Sequence, residues 1–287
     1  MKTFSFESIG TKWQIDINDD ISVSKLEKIK ENVFSFLSDF SSIYSRFDKK
    51  SLITKISEGK GGKYEFPESS KEIFGIYSTL YELTDGLFTP LIGDTLSSAG
   101  CDRNYSLKPN KLKHPEKWSI MDFKYPVLDI KKPVTLDFGA CGKGYAIDQI
   151  VKILNIHKIS SFIVDGSGDL YLKNISNSKV GLENPLNVRQ VIGVADVNNE
   201  SICASALNRR TWGIYSHIIN PRTLKSPENI IAVWTISKKA IIADALATAL
   251  FLVEPEKLNE FKFEYLILHS DFKVKKSVKF PAEIYYN

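Results

Sequence analysis

The sequence has few of the features that mark disulfide-bonded, zinc-binding or membrane-spanning proteins. Its 287 residues include only three cysteines, Cys101, Cys141 and Cys203, and no two of them form a CxxC pair. An odd number of widely separated cysteines indicates neither a disulfide framework nor a structural zinc site. No apolar run is long enough to cross a bilayer, so we expect no membrane span.

Neither the amino terminus nor the charge pattern carries a strong targeting signal. The stretch MKTFSFESIGTKWQIDI lacks the continuous apolar segment and the cleavage site of a signal peptide. We therefore expect a cytoplasmic chain, although a chain trimmed after a signal peptide would read the same. The formal net charge is only +4, and the Lys and Arg residues are scattered among Asp and Glu. This pattern gives no argument for nucleic acid as a partner, whereas anionic small molecules fit it.

What the sequence does contain is an ordinary globular composition, with 43% hydrophobic and 25% charged residues. No repeat of fixed period, low-complexity tract or Pro- or Ser-rich linker divides the chain. We therefore expect a single α+β domain over 1–287. The segment 86–126, which holds several Gly, Pro and Ser residues, is a candidate small subdomain.

Hydrophobic periodicity predicts both helices and strands. Apolar residues at helical spacing predict helices over about 23–44, 70–84, 145–154 and 243–252. Asp85-Gly86 is expected to end the second of these. Strands are predicted near 4–17, 134–138, 161–165, 191–197, 200–205, 216–220, 230–237 and 263–270.

The stretch 136-LDFGACGKGYAID-148 carries the richest local chemistry. Asp137 is expected to end a strand, and Gly139, Gly142 and Gly144 surround Lys143 before a helix begins. Glycines let backbone N–H groups approach an anion closely, and a helix start adds positive partial charge. The spacing matches neither the Walker A loop nor the GxGxxG fingerprint. A phosphate-cradling loop and a plain turn with a surface lysine both remain open.

Two further stretches combine basic and hydrogen-bonding side chains. In 215-YSHIINPRT-223, His217 and Arg222 suit a general base beside an anion clamp, although taken alone the stretch favours a half-buried histidine before an ordinary turn. In 205-SALNRRTW-212, Ser205 precedes Arg209 and Arg210, and adjacent arginines more often form a solvated face than a site.

The stretch 241-IIADALATALFLV-253 places Asp244 and Thr248 four residues apart in an otherwise apolar run. At helical spacing the two side chains lie on one face, where carboxylate and hydroxyl oxygens suit Mg²⁺. A plainer reading makes Asp244 a helix N-cap and Thr248 a hydroxyl bonded back to the preceding turn. The capping-box position after Asp244 holds Ala247 rather than Glu or Gln, which weakens that reading.

Taken in order, the motifs resemble the ApbE family of FAD:protein FMN transferases. The resemblance runs through SIGTKWQIDI, SRFDKKSLITKIS, TDGLFTPLIGD, LDFGACGKGYAID, FIVDGSGDLYLKN, SHIINPRT and ADALATALFLV. The combination of D-x-G-x-x-x-K-G-Y-A-x-D with H-I-x-x-P-R-T and A-D-A-L-A-T is specific. The resemblance implies a T-fold-like α+β domain with mixed or antiparallel sheets and packed helices.

The resemblance also implies an activity. An enzyme of this family would take FAD as a substrate and, with Mg²⁺, would transfer its FMN half to a Thr or Ser hydroxyl of a target flavoprotein, releasing AMP. By the same resemblance Asp244, Thr248 and the Ala140 carbonyl would hold the metal, and Asp137 and Lys143 would contact FAD.

His217 is our candidate general base, beside Asp244 as the second catalytic residue. The remaining positions that match the family's FAD pocket are Ile9, Phe47, Leu87, Phe88, Thr89 and Ile218. No target motif is visible in this chain, so the acceptor is expected to be another protein.

The sequence departs from the family's usual residues at Thr89, Ser167, Ala206, Asn220 and Leu224. We expect FAD binding to tolerate these changes better than catalytic rate or acceptor choice. Two other functions stay open. The same site would serve a Mg²⁺-dependent FAD pyrophosphatase that yields FMN and AMP, or a non-catalytic FAD-binding protein.

Overall fold

The computed structural model describes residues 1–209 and 211–285. Its α-helices are α1 (Val23–Tyr44), α2 (Leu52–Glu58), α3 (Ser70–Leu83), α4 (Gly93–Ser98), α5 (Gly142–Ile156) and α6 (Ala240–Ala249). No helix in these ranges combines the length and apolarity that crossing a bilayer requires.

The strands of the described residues lie before, between and after these helices. They are β1 (Lys2–Ser8), β2 (Thr11–Ile17), β3 (Gly62–Glu65), β4 (Met121–Lys124), β5 (Val127–Ile130), β6 (Phe162–Asp165), β7 (Leu170–Lys173), β8 (Lys179–Asn184), β9 (Asn187–Asp196), β10 (Glu200–Ala206), β11 (Thr211–Trp212), β12 (Tyr215–Ser216), β13 (Ile230–Ser237), β14 (Glu264–His269), β15 (Val274–Lys276) and β16 (Ala282–Ile284).

One large antiparallel sheet organises the molecule. Its strand order is β1-β2-β6-β7-β10-β13-β14-β15, and smaller antiparallel sheets of the described residues have the orders β3-β5-β4, β16-β9-β8 and β11-β12. The central strand β13 is buried along most of its length, as expected for a strand covered on both faces. The predicted α+β class with antiparallel sheets is confirmed.

Helices α5 and α6 pack together against the large sheet, and α6 is buried on nearly every side. An almost wholly apolar helix is stable only when it is enclosed in this way. The long helix α1 covers α5 with one apolar stripe, which includes Ile29, Val33 and Leu37. Its first turn is capped by Ser22, whose hydroxyl accepts from the Lys25 N–H at 3.2 Å.

The predicted helices α1 and α3 are confirmed closely, whereas the other two begin earlier than expected. Helix α3 ends where Asp85 and Gly86 take left-handed backbone angles. Helix α5 begins at Gly142 rather than near 145, because two of the glycines that suggested a loop lie in its first turn. Helix α6 spans Ala240–Ala249 rather than 243–252, because a carboxylate from α5 binds the N–H groups of its first turn.

Three strand predictions are wrong in detail. The single strand near 4–17 is a hairpin, whose turn places Ile9 at φ 44° and Gly10 at φ 74°. Residues 134–138 form no strand, because the Asp137 N–H is bound by the Pro90 carbonyl at 2.7 Å outside any ladder. Only the first residue of 216–220 belongs to a strand, since the Ser216 hydroxyl accepts from the Ile218 N–H at 3.2 Å.

Candidate active site

A cleft of about 540 Å³ opens where the large sheet, α6 and the loop before α5 meet. Residues from Thr11 to Leu252 line it, so distant segments converge on one site. The predicted site residues on its wall are Phe47, Leu87, Phe88, Thr89, Asp137, Ala140, Lys143, His217, Ile218, Asp244 and Thr248. Its volume lies within the range of small-molecule sites.

Helix α6 carries Asp244 and Thr248, one turn apart, to the cleft. Asp244 is only 4% exposed, and its carboxylate accepts from the Gly144 N–H at 2.8 Å. Asp244 lies within α6 and not at its N-cap, which is Lys239. Burial is the main cause that raises the pKa of Asp244 to about 7, and the negative charge of Asp169 adds to the increase.

The Lys143 ammonium lies at the cleft wall, close to two buried carboxylates, those of Asp169 and Asp244. It forms an ion pair with Asp169, whose other oxygen accepts from the Ala204 N–H at 2.9 Å. Burial would lower the pKa of Lys143, but the charges of Asp169 and Asp244 outweigh it and raise that pKa above its ordinary value. Burial raises the pKa of Asp165, which also lines the cleft. Two buried carboxylates, with the half-buried Asp165 nearby, therefore lie close to one ammonium, an arrangement that favours binding of a further cation.

The loop before α5 is held by a buried arginine and a tyrosine. The Arg46 guanidinium pairs with the Asp137 carboxylate and donates to the Cys101 carbonyl at 2.7 Å. The Tyr77 hydroxyl donates to the Asp137 carbonyl at 3.1 Å. The other Asp137 oxygen accepts from the Gly139 N–H at 2.7 Å. These contacts fix the backbone beside the Ala140 carbonyl.

Aromatic side chains form another wall of the cleft. The Arg46 guanidinium lies 4.2 Å from the centre of the Phe47 ring, and Tyr105 stacks on the same ring at a centroid distance of 4.8 Å. Phe88 is buried beside Tyr77, with ring centroids 5.0 Å apart. Because Arg46 and Tyr105 lie against the Phe47 ring, its edge is the part that is left to contact a ligand, and Phe88 is only 2% exposed.

His217 reaches the cleft from the loop after β12. Its neighbour Ile218 is 3% exposed and packs into the main hydrophobic cluster, which orients this short segment. Arg222 does not join His217 at the cleft wall. Its guanidinium instead donates to the Asp85 carbonyl at 3.1 Å on the surface. The expected pairing of imidazole and guanidinium around one anion is therefore not formed.

Of the described residues that were predicted for the FAD pocket, Ile9 is not part of the cleft wall. Ile9 occupies the β1–β2 turn in a left-handed conformation that is unusual for a β-branched residue, and Thr11 lines the cleft in its place. Ser205 lines the cleft, whereas Arg210 falls outside the described residues, so the prediction for its pair with Arg209 stays a prediction.

The sequence analysis did not single out Arg46 and Asp165, which line the cleft, or Asp169, which forms the ion pair with Lys143. Each stands in a quoted motif, SRFD or FIVDGSGD, but an arginine or an aspartate in such a loop is ordinary surface chemistry. Burial distinguishes Arg46 and Asp169 from ordinary surface residues, since their exposed fractions are 7% and 1%.

The departures from the family pattern have local structural roles. Ser167 and Leu224 take left-handed angles, φ 63° and φ 59°, which glycine adopts more readily. The Thr89 hydroxyl accepts from the Leu91 N–H at 3.2 Å. The Asn220 side chain accepts from the N–H groups of Arg222 and Thr223, at 2.9 and 3.1 Å. Ala206 ends β10 at the cleft wall.

Comparison with known proteins gives a consistent result. The family model described as ApbE family matches residues 9–265. The FAD:protein FMN transferase of Escherichia coli (strain K12) is 22% identical over 280 residues, covering 88% of this chain and 79% of the relative. That of Treponema pallidum (strain Nichols) is 25% identical over 313 residues, covering 94% and 84%.

Solved structures show the same fold. The flavin transferase ApbE from Vibrio cholerae superposes with a TM-score of 0.84 at 18% identity, covering 97% of each chain. The ApbE protein from Thermotoga maritima gives a TM-score of 0.85 at 21% identity, covering 96% of this chain and 97% of the other. With the family model spanning most of its length, this chain belongs to the ApbE family.

Proposed function

We propose that this protein transfers the FMN half of FAD to a Thr or Ser hydroxyl of an acceptor flavoprotein and releases AMP, with Mg²⁺ required. The observation that carries the proposal is the convergence of Lys143, His217, Asp244 and Thr248 on one cleft with an aromatic wall. Curated relatives named FAD:protein FMN transferase support the same reaction.

The donor set fits a magnesium ion. Asp244, Thr248 and the Ala140 carbonyl supply oxygen atoms at the cleft wall, and Mg²⁺ prefers oxygen ligands with several positions left to water and phosphate. The surplus of buried carboxylate over ammonium around Asp244 favours a cation there. When bound, Mg²⁺ would neutralise charge on the pyrophosphate and on the departing AMP.

The chain's own residues have distinct proposed roles. Lys143 provides positive charge for the pyrophosphate, and its pair with Asp169 holds the ammonium in place. Asp137, fixed by Arg46, orients the loop whose backbone faces the ligand. The half-buried Phe47 offers apolar surface to a ring of FAD, and the buried Phe88 supports that wall of the cleft.

The transfer step needs an acceptor hydroxyl and a base. The hydroxyl oxygen forms a bond to the phosphorus of the FMN half, and the bond from that phosphorus to the bridging oxygen breaks. AMP leaves with the electron pair, and the hydroxyl proton passes to His217. Water in place of the hydroxyl would give free FMN, which is the pyrophosphatase alternative.

Product analysis tests the proposal. Purified protein is incubated with FAD, with and without Mg²⁺ and a flavoprotein acceptor. AMP and free FMN are quantified, and the acceptor is examined for flavin fluorescence in a denaturing gel. We expect one AMP for each flavin attached. AMP with an equal amount of free FMN and no labelled acceptor would favour the pyrophosphatase, and bound but intact FAD would favour a binding protein.

A further inference from the structure

Helices α5 and α6 cap each other. The residues that precede them, Cys141 and Lys239, make no side-chain capping hydrogen bond. Instead the two Asp148 oxygens accept from the N–H groups of Ala240 and Ile241, at 2.9 and 3.0 Å. In return Asp244 accepts from Gly144 at 2.8 Å. Each helix thus satisfies N–H groups in the first turn of the other.

The two capping interactions have matching spacing. In α5, Asp148 lies four residues after Gly144, whose N–H group is bound by Asp244. In α6, Asp244 lies four residues after Ala240, whose N–H group is bound by Asp148. Each carboxylate therefore lies one helical turn after the residue of its own helix that the other carboxylate binds. The helices cross closely, since a Cβ atom on Gly144 would lie 2.2 Å from the Ala240 carbonyl oxygen. Only glycine permits this approach.

We propose that Asp148 is a positioning residue: by holding the first turn of α6 against α5, it sets the position of Asp244 and Thr248 at the cleft. This inference rests on the proposed binding of Mg²⁺ by those two residues. Asp148 is not among the residues that line the cleft, and it acts through the backbone of Ala240 and Ile241.

Loss of the Asp148 carboxylate would leave two N–H groups of α6 without their acceptor. The first turn of a helix frays when its N–H groups lose a side-chain partner. Asp244 begins the next turn, so its carboxylate would lose its fixed relation to the Gly144 N–H. The aromatic wall at Phe47 belongs to another part of the chain and should keep its geometry. Metal binding should therefore suffer more than FAD binding.

Asp19 offers a matched control elsewhere in the molecule. Its two carboxylate oxygens also accept from two consecutive backbone N–H groups, those of Ser160 and Ser161, each at 2.8 Å. Asp19 does not line the cleft. Substitution at Asp19 removes the same kind of interaction without touching α6.

The test uses Mn²⁺ as a spectroscopic substitute for Mg²⁺. Mn²⁺ affinity is measured by electron paramagnetic resonance, with FAD present, in wild type, Asp148→Asn, Asp148→Ala and Asp19→Ala. Folding is checked by circular dichroism. We expect Asp148→Ala to weaken Mn²⁺ binding by about 10- to 100-fold, the usual range for residues that orient metal ligands. The Mn²⁺ affinity of Asp148→Asn, which keeps one acceptor oxygen, should lie between those of wild type and Asp148→Ala. Asp19→Ala should bind Mn²⁺ like wild type.

Two further readouts separate positioning from general damage. FAD affinity without metal should change by less than about twofold in both Asp148 variants, and excess metal should restore much of their AMP release. If Asp148→Ala does not fold, Asp148→Asn carries the test. Equal Mn²⁺ affinity in wild type and a folded Asp148 variant would overturn the positioning role of Asp148 but not the proposed metal site. Absence of Mn²⁺ binding in wild type would overturn the proposed metal site as well.

Discussion

At the scale of single residues, the region around Lys143 contains more carboxylates than ammonium groups. Asp169 and Asp244 both lie close to Lys143, and burial raises the pKa of Asp244 and of the half-buried Asp165. A buried carboxylate without a counter-charge is costly, and either a proton or a bound cation at Asp244 would offset that cost. The position of Asp244 at the cleft wall, beside the Thr248 hydroxyl, supports the cation.

The role of His217 can be tested by substitution. His217→Asn should lower the transfer rate by about 10²- to 10⁴-fold, the usual contribution of a general base. The FAD dissociation constant should change by less than about twofold, because the base acts on the acceptor hydroxyl. The comparison variant is His114→Asn, since His114 contacts the Pro221 carbonyl at 3.1 Å and does not line the cleft. Equal rates for the two variants would remove His217 from the mechanism.

Asp148 gives a pH-dependent contribution to stability with a defined sign. Burial raises its pKa from 3.8 to about 6, against the lowering effect of the Ile241 and Ala240 N–H groups. The folded state then holds this proton more tightly than the unfolded state does. The stabilisation is complete below about pH 4 and is lost as pH rises through about 6.

We therefore expect the free energy of unfolding of wild type, minus that of Asp148→Asn, to decrease between about pH 4 and pH 7. Urea denaturation at constant ionic strength measures this difference. A difference that grows over that interval would show that the folded-state pKa of Asp148 is lowered instead.

At the scale of elements, the C-terminal end of α5 has a lysine where the backbone conformation favours glycine. The Ile159 N–H bonds to the Leu154 carbonyl at 3.0 Å and the Lys158 N–H to the Asn155 carbonyl at 2.8 Å, which is the Schellman pattern. Lys158 occupies the left-handed position, at φ 54°, where glycine is preferred. Its side chain is exposed, so little packing depends on it.

Lys158→Gly should therefore raise the free energy of unfolding by about 1 kcal/mol, because a left-handed non-glycine residue is strained by about that much. Lys152→Gly, at an exposed position inside the same helix, should lower the free energy of unfolding by about 1 kcal/mol. Denaturant unfolding of both variants checks the pair. Destabilisation by Lys158→Gly would show that the lysine makes compensating contacts.

The elements that sequence predicts best are those with a long apolar pattern. Helix α1 and strand β13 are predicted to the residue, because α1 repeats one apolar stripe along its length and β13 is an almost continuous buried run. The start of α6 could not be predicted, since it depends on Asp148, 92 residues away in sequence. Short strands such as β3 and β16 carry too few residues to show a period.

The candidate site residues show the same contrast between local spacing, which sequence reveals, and distant contacts, which it does not. Asp244 and Thr248 could be paired from sequence because helical spacing places them on one face. Arg46 and Asp169 could not, because their importance comes from burial beside partners 91 and 26 residues distant. Arg222 shows the opposite error, since closeness to His217 in sequence did not bring it to the cleft.

At the scale of the whole molecule, the segment 86–126 shares the main hydrophobic cluster. Phe88, Leu91, Ile120 and Met121 pack in one cluster with residues from Phe40 to Ile267. We propose that the chain is one folding unit rather than a domain with a separate subdomain.

One folding unit should unfold in a single transition. Circular dichroism and tryptophan fluorescence should give coincident thermal curves, and FAD with Mg²⁺ should shift both upward together, since ligands that bind only the folded state stabilise it. Trp118, within the segment, is one of the fluorescent probes. A fluorescence transition that precedes the loss of secondary structure would indicate a separate subdomain.

We propose that Asp244 belongs to a metal-dependent FAD-cleaving site, and AMP release by Asp244 variants tests this assignment. Wild type, Asp244→Asn and Asp244→Ala are compared over a range of Mg²⁺ concentrations with FAD and acceptor. Asp244→Asn keeps the volume of the side chain and an acceptor for the Gly144 N–H but loses the charge. We expect both folded variants to lose at least about 100-fold of the Mg²⁺-dependent rate. Wild-type rates in either variant would contradict the account.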